Sequence, residues 1–322
     1  MQLTSTNSSI GLIYALKKIY IFLFNINYYQ KKILTIHLLR IVINFIIMKL
    51  INKLGVMQGR LTPMIGNKIQ SFPKKNWQKE FSLARKLNIR YVEWTLDYKD
   101  IFSNPIFVKS KIKKISFLKK KYSINIISLT GDCFMQKPFW KVHNSAKLIN
   151  DFKKIVKACS ALKIKYIIVP IVDKGKIEAK WQEIKLIDEL NKLNKFLKNY
   201  RVKILFESDY KPKLLSKFIN KLDKSIYGIN YDIGNSASLD YDVNEEFRYY
   251  GKRIKNIHIK DRLINGTTVR LGMGNANFKK LFKNIKKLNY KGLLILQTAR
   301  APIKNKDINE IQTNISFIRD YL

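Results

Sequence analysis

Eight short apolar runs, each followed by a longer segment with helical periodicity, constrain the fold of this chain more than any other feature. The runs are Leu54–Met57, Tyr91–Trp94, Ile124–Leu129, Tyr166–Pro170, Lys203–Phe206, Tyr227–Tyr231, Ile254–Ile259 and Gly292–Leu296. Strands that are apolar throughout are covered on both faces, as in a parallel sheet. The segments between them carry apolar residues three and four positions apart, which is typical of amphipathic helices. Eight strand–helix units in about 270 residues predict an α/β fold, the (β/α)8 TIM barrel.

The residues before Met48 have a different composition. They contain no acidic side chain, and their two apolar stretches, Ile10 to Tyr29 and Ile33 to Ile47, are each interrupted by basic residues. Neither is a clean span of about 20 apolar residues. A membrane-surface helix, an ill-fitting anchor and residues upstream of a true start at Met48 are three interpretations. We favour the third and expect residues 1–47 to be a hydrophobic basic extension that need not be native, before a catalytic domain at 48–322.

The charge of the chain is strongly positive, with 62 Lys and Arg against 23 Asp and Glu. Such a balance first suggests nucleic acid or an anionic membrane as a partner. Lysine is scattered through every helical segment, however, and no basic block is interleaved with stacking aromatic residues. We therefore predict no specific nucleic-acid binding. A positive field would instead concentrate phosphorylated or carboxylated substrates.

The two cysteines, Cys133 and Cys159, are too few for a disulfide framework, and neither belongs to a CxxC pair. They predict buried free thiols in a reducing compartment, so we expect a cytoplasmic protein.

Polar side chains end the last four apolar runs: Glu207, Asp232, His258 and Gln297. A carboxylate at one strand end is more often a helix cap or turn residue than a functional group. Four such ends are different, because a barrel brings them into one ring. Oxygen ligands with one imidazole suit Mn2+, Mg2+, Co2+ or Zn2+, so the pattern predicts a divalent metal site.

At these residues the chain resembles the sugar-phosphate isomerase/epimerase family of xylose-isomerase-like TIM barrels. The resemblance runs from about Leu54 to near the C-terminus and is carried by GVMQGR at 55–60, EW at 93–94, YDIGN at 231–235, HIKDR at 258–262 and LGMGN at 271–275. Related ketose isomerases and epimerases bind their metal with Glu, Asp, His and Glu, and both glutamates move protons. The resemblance thus implies Glu207, Asp232 and His258 as ligands.

The fourth ligand position is Gln297, which departs from the family pattern. A glutamine oxygen can still bind a metal, but glutamine cannot exchange a proton at neutral pH. Glu207 is then the only matched base, and Asp132, Asp97 or Lys260 would have to replace the missing group. We therefore predict that Glu207, Gln297 and Lys260 form the catalytic set.

Further charged residues lie near other strand ends and are predicted to bind substrate: Arg60, Glu93, Asp132, Arg262 and Arg300. Arginine offers bidentate contacts to phosphate oxygens, and barrels commonly hold phosphate after strands seven and eight. A solvated charge at the rim is the alternative for the cations. For Gly272 and Gly274 we favour a tight turn.

These observations predict a metal-dependent isomerase or epimerase that acts on a sugar or sugar phosphate through an enediol(ate). One base suffices for isomerisation on one face, whereas epimerisation needs two. A non-catalytic or lyase-like relative that binds a polyol or keto acid is one alternative. An apurinic-site endonuclease is less favoured, because that chemistry resembles a histidine-rich three-zinc site and the chain has three His. Self-association stays open, as does membrane contact through residues 1–47.

Overall fold

Eight parallel strands form a closed barrel in this computed structural model, which describes residues 53–66, 68–303 and 306–321, together with His37. The order around the barrel is β1, β2, β3, β4, β5, β6, β7 and β10, and β8 and β9 form a separate antiparallel pair. The predicted TIM barrel is confirmed. The strands are β1 Leu54–Met57, β2 Tyr91–Thr95, β3 Ser128–Thr130, β4 Tyr166–Ile171, β5 Lys203–Ser208, β6 Tyr227–Asp232, β7 Ile254–Ile259, β8 Asp261–Arg262, β9 Thr268–Val269 and β10 Leu293–Leu296.

Helices follow the strands and cover the outside of the barrel. They are α1 Lys79–Lys86, α2 Lys109–Tyr122, α3 Asp132–Gln136, α4 Ala146–Ala161, α5 Lys180–Tyr200, α6 Pro212–Asn220, α7 Ile233–Ser238, α8 Val243–Tyr250, α9 Phe278–Lys287 and α10 Asp307–Arg319. The main core lies between strands and helices, where Phe81, Phe152 and Phe206 are fully buried. Cys133 and Cys159 are buried and free, as predicted.

The third strand differs from its predicted bounds, Ile124–Leu129, and begins at Ser128. Asn125 makes only an isolated bridge to Tyr91. The hydroxyls of Ser128 and Thr130 donate to Glu93 inside the barrel, each at 2.6 Å. The prediction followed the apolar run, whereas a buried carboxylate on β2 fixes where the strand lies.

Two sequence motifs join into one structural unit after β7. The Asp261 carboxylate accepts hydrogen bonds from the backbone N–H groups of Gly272, Gly274 and Ala276 at 2.9–3.0 Å. Gly272 has φ +84°, and a Cβ on Gly274 would collide with Asp261 Oδ1. HIKDR thereby holds the LGMGN turn against the end of β7.

A second buried carboxylate, Glu80 of α1, orders the loop after β1. It accepts hydrogen bonds from the N–H groups of Gly59 and Leu61 and from the Thr62 hydroxyl. Burial raises the pKa of Glu80 to about 7, although these donors oppose the shift.

Within the described ranges, no helix is long and apolar enough to cross a membrane. Apart from His37, the extension predicted at residues 1–47 lies outside the described residues.

Candidate metal centre

Three predicted ligands meet at the C-terminal mouth of the barrel. Nδ1 of His258 lies 3.2 Å from Oε2 of Glu207 and 3.9 Å from Oδ2 of Asp232. One ligand atom from each residue lies within 4.8 Å of the others, and all three side chains are buried. Their strands β5, β6 and β7 are neighbours, and Asp232 pairs with His258 in the register of β6 and β7. The group thus comes together because consecutive strand ends converge.

The other edge of the His258 ring contacts Glu93, with Nε2 and Oε1 2.8 Å apart. Glu93 also accepts from Asn256 Nδ2 at 2.9 Å, besides the hydroxyls on β3. Burial alone would lower the pKa of His258, but Glu93 and Glu207 raise it to about 10. For Glu93 the effects are opposite: burial alone would raise its pKa, but the charge and hydrogen bond of His258 outweigh burial and lower it.

Glu93 was predicted to bind substrate, but it does not lie at the open mouth of the barrel, where a substrate could reach it. It is fully buried beneath the mouth, and both oxygens are occupied by protein donors. Its contacts orient His258, and neither of its oxygens is free to bind a substrate.

Asn235, which sequence reasoning did not nominate, links most of the site. Its side-chain amide donates to Glu207 Oε1 at 2.7 Å, and its backbone N–H donates to Asp232 Oδ1 at 2.9 Å. The side-chain oxygen Oδ1 of Asn235 accepts from Lys260 at 3.0 Å and from Arg262 at 2.9 Å. Asp232 is thus the N-cap of α7, and one of its oxygens remains directed to the cluster. The YDIGN motif was the available signal.

Lys260 lies beside the cluster, with Nζ 3.3 Å from Asp232 Oδ2 and the side chain 14% exposed. Asn230, also missed from the sequence, donates to Glu207 Oε2 at 2.8 Å. Both Glu207 oxygens are therefore held by amide donors.

Gln297 lies at the end of β10, beside β7, and continues the ladder by donating its backbone N–H to Ile259 at 3.0 Å. Its side-chain Nε2 donates to Gln70 Oε1 at 2.8 Å, and Gln70 Nε2 donates to Asp132 Oδ2 at 2.6 Å. Oε1 of Gln297 is buried and has no hydrogen-bond partner among the described residues. Gln70, on the loop after β1, was not predicted.

Asp132, at the end of β3, is 7% exposed. Burial raises its pKa to about 7, and the negative charges of Asp97 and Glu207 act in the same direction. The hydrogen bond from Gln70 and the charge of Arg60 oppose that shift.

The three arginines predicted to bind substrate are engaged by the protein. Arg60 donates to the carbonyls of Thr298 and Ile69, at 3.0 and 2.6 Å. Arg300 donates to the carbonyls of Gly59 and Thr62. Arg262 donates to Gly266 and Asn235. Their donors tie loops together, and only a rearrangement would release them for a phosphate.

The donor set suits a divalent cation. Two carboxylates, an imidazole and an amide oxygen are the ligand types that Mn2+, Mg2+, Co2+ and Zn2+ accept. A buried amide oxygen without a donor costs free energy unless something satisfies it. Gln297 Oε1, in a side chain 6% exposed, is such an atom.

The chain belongs to the xylose isomerase-like TIM barrel family, whose model matches residues 81–321. The family resemblance is confirmed. An uncharacterized protein of Methanocaldococcus jannaschii is 23% identical over 236 residues, which cover 66% of this chain and 74% of that protein.

Among solved structures, the IOLI protein with a bound zinc atom has a TM-score of 0.66 at 17% identity and covers 84% of this chain and 99% of its own. D-Psicose 3-epimerase from Clostridium cellulolyticum H10, solved with D-tagatose, also has a TM-score of 0.66, at 12% identity and with 84% and 99% coverage. At these identities the likeness concerns the fold.

Proposed function

We propose that this protein is a metal-dependent isomerase or epimerase of a sugar or sugar phosphate that works through an enediol(ate). The observation that carries the proposal is the convergence of Glu207, Asp232 and His258 within 4.8 Å at the barrel mouth. Gln297 would supply the fourth ligand through its unpartnered oxygen. The zinc atom of one structural neighbour and the ketose bound to another support this reading.

A divalent metal held by these residues would polarise the substrate carbonyl and lower the barrier to proton abstraction. Glu207 acts as the base: it takes the proton from the carbon next to the carbonyl, and that electron pair becomes the enediol double bond. Asn230 and Asn235 fix the position of its carboxylate. Lys260 places a positive charge beside the developing oxyanion. In isomerisation Glu207 returns the proton to the adjacent carbon on the same face, the hydroxyl proton of the first carbon moves to the oxyanion on its neighbour, and the first carbon becomes the new carbonyl.

Deuterium exchange tests the proposal. The protein, loaded with Mn2+ or Co2+, is incubated in D2O with ketoses, aldoses and their phosphates, and the products are followed by NMR. We expect deuterium on the carbon next to the carbonyl, on a single face, and complete loss of exchange in Glu207→Gln. Glu189→Gln, which removes a partly buried carboxylate that pairs with Lys192 on the outer helix α5, is the matched control and should exchange normally.

Two outcomes would contradict the assignments. Absence of exchange with every sugar would reject an isomerase. Robust epimerisation that survives Glu207→Gln would move proton transfer to other residues, with Asp132 the first to test. Elemental analysis of His258→Ala checks the metal independently, because unchanged stoichiometry would reject that ligand.

Gln297 also favours a second candidate, a non-catalytic or lyase-like relative that binds a polyol or keto acid at a weakened metal site. Such a protein would bind ligands in the same screen without exchanging their protons. An apurinic-site endonuclease is not supported: within the described residues, the one candidate group of metal ligands contains a single histidine.

A further inference from the structure

We propose that Gln70 and Asp132 are positioning residues that turn the amide oxygen of Gln297 toward the metal centre. The inference rests on the metal site of the proposed function. It explains how a chain with glutamine at the fourth position keeps a usable ligand there.

The direction of the hydrogen bonds follows from what each group can do. With its pKa at about 7, Asp132 is ionised at neutral to alkaline pH, and in that form it only accepts, so it requires the Nε2 end of Gln70, 2.6 Å away. Gln70 must then present Oε1 to Gln297, whose Nε2 donates to it at 2.8 Å. Arg60 has donors only, and its guanidinium lies 3.5 Å from the same Gln70 oxygen. Both neighbours thus impose one orientation on Gln70, and the Gln297 oxygen is left over.

Orientation matters for glutamine in a way that it does not for glutamate. The two carboxylate oxygens are equivalent, so a glutamate binds a cation whichever way it is turned. A glutamine rotated by half a turn would present an N–H2 group, which has no lone pair for a metal. The chain from Asp132 through Gln70 removes that non-binding orientation.

A double-mutant cycle tests this role through metal affinity, measured by competition of Mn2+ or Zn2+ with a chromophoric chelator. Asp132→Asn leaves a side chain that can donate or accept, so only the 3.5 Å contact with Arg60 still orients Gln70. We expect binding about tenfold weaker, as for other residues that orient metal ligands.

In a Gln297→Glu background, the effect of Asp132→Asn on metal affinity should have the opposite sign. The new carboxylate would face Gln70 Oε1, which is also an acceptor, because Gln70 Nε2 is directed to Asp132. Adding Asp132→Asn supplies a donor to Gln70 Oε1 and lets Gln70 Nε2 turn to the carboxylate at 297, with the loss only of the 3.5 Å contact with Arg60. We therefore expect Asp132→Asn to tighten metal binding in the Gln297→Glu background. If Asp132 had a merely structural role, Asp132→Asn would weaken metal binding with either Gln or Glu at position 297.

Asp97→Asn is the matched control. Asp97 is a nearby carboxylate that contacts the Phe72 N–H and the Gln136 amide but not Gln70. Its removal changes the local charge equally, so we expect no sign reversal. Should Asp132→Asn fail to fold, Gln70→Met takes its place, because it also removes the orienting contact and relieves the clash with a glutamate.

If the effects of Asp132→Asn and Gln297→Glu on metal affinity simply add, in a protein that binds metal, the orienting role is overturned and the isomerase proposal still stands. A sign reversal without deuterium exchange would support the orienting role and overturn the isomerase proposal. The two failures are therefore distinguishable.

Discussion

Nε2 of His258 lies 2.8 Å from Oε1 of Glu93, while Nδ1 of the same ring faces Glu207 and Asp232. A carboxylate at Nε2 holds the proton there, so Nδ1, which lies 3.1 Å from Asn230 Nδ2 in this structure, is the ring nitrogen that would bind a metal. The three residues at the mouth thus depend on a fourth that no substrate can reach.

Replacing Glu93 by glutamine should weaken metal binding by about 10- to 100-fold. The amide can donate to Nε2, which favours the tautomer with a proton on Nδ1. Chelator competition measures the affinity. Ser128→Ala removes one hydrogen bond to Glu93 but keeps its charge, so we expect a much smaller effect. Equal losses in the two variants would count against control of the tautomer.

Gly274→Ala should destabilise the fold by about 1–3 kcal/mol, in the range of overpacked sites, because its Cβ would meet the Asp261 carboxylate. Urea denaturation measures the free energy of unfolding. Gly66→Ala is the control: its φ is +57°, but open space surrounds it, so the cost should be backbone strain of about 1 kcal/mol. A smaller loss at Gly274 than at Gly66 would contradict the packing of this turn.

Glu80 should make unfolding depend on pH. Its pKa rises from an ordinary 4.5 to about 7 in the folded protein, so the folded state binds more protons than the unfolded state between those values. Its contribution to stability must therefore fall as pH rises through that window. Thermal melting in a chelator should show a flatter pH profile for Glu80→Gln, whereas Glu189→Gln on the outer helix α5 should keep the parent slope. Identical slopes for Glu80→Gln and the parent would refute the shift.

Starting the chain at Met48 should leave both barrel folding and activity unchanged. The composition of residues 1–47 motivates this, since they lack the strand–helix alternation of the rest. Circular dichroism and the exchange assay would check it, and loss of either would show that these residues belong to the functional protein.

The strand ends were predictable because their signal is local. An apolar run fixes a strand, the next polar residue marks its end, and a closed barrel then brings Glu207, Asp232 and His258 together. β3 was placed too early because its first and last residues, Ser128 and Thr130, are polar and face a buried carboxylate on another strand. The antiparallel pair β8–β9 carried no periodic signal, since each strand has two residues.

Arg60, Arg300 and Gln70 could not be assigned from sequence, because partners of each are distant in the chain. Arg60 and Arg300 look like anion-binding residues beside their own strands. Each instead donates to at least one carbonyl more than 230 positions away, where the start and end of the barrel meet. Gln70 lies in a loop without any motif, and only the fold places it between Asp132 and Gln297.

The hydrogen-bond polarity at Gln70 has an evolutionary consequence. One base change in a glutamine codon restores glutamate at position 297, yet that reversion would set two acceptors against one another unless Asp132 changed as well. The proposed polarity therefore predicts epistasis: Gln297→Glu alone should be less fit than the same change combined with a change at position 70 or 132. Lineages carrying glutamate here should accordingly differ at position 70 or 132 too.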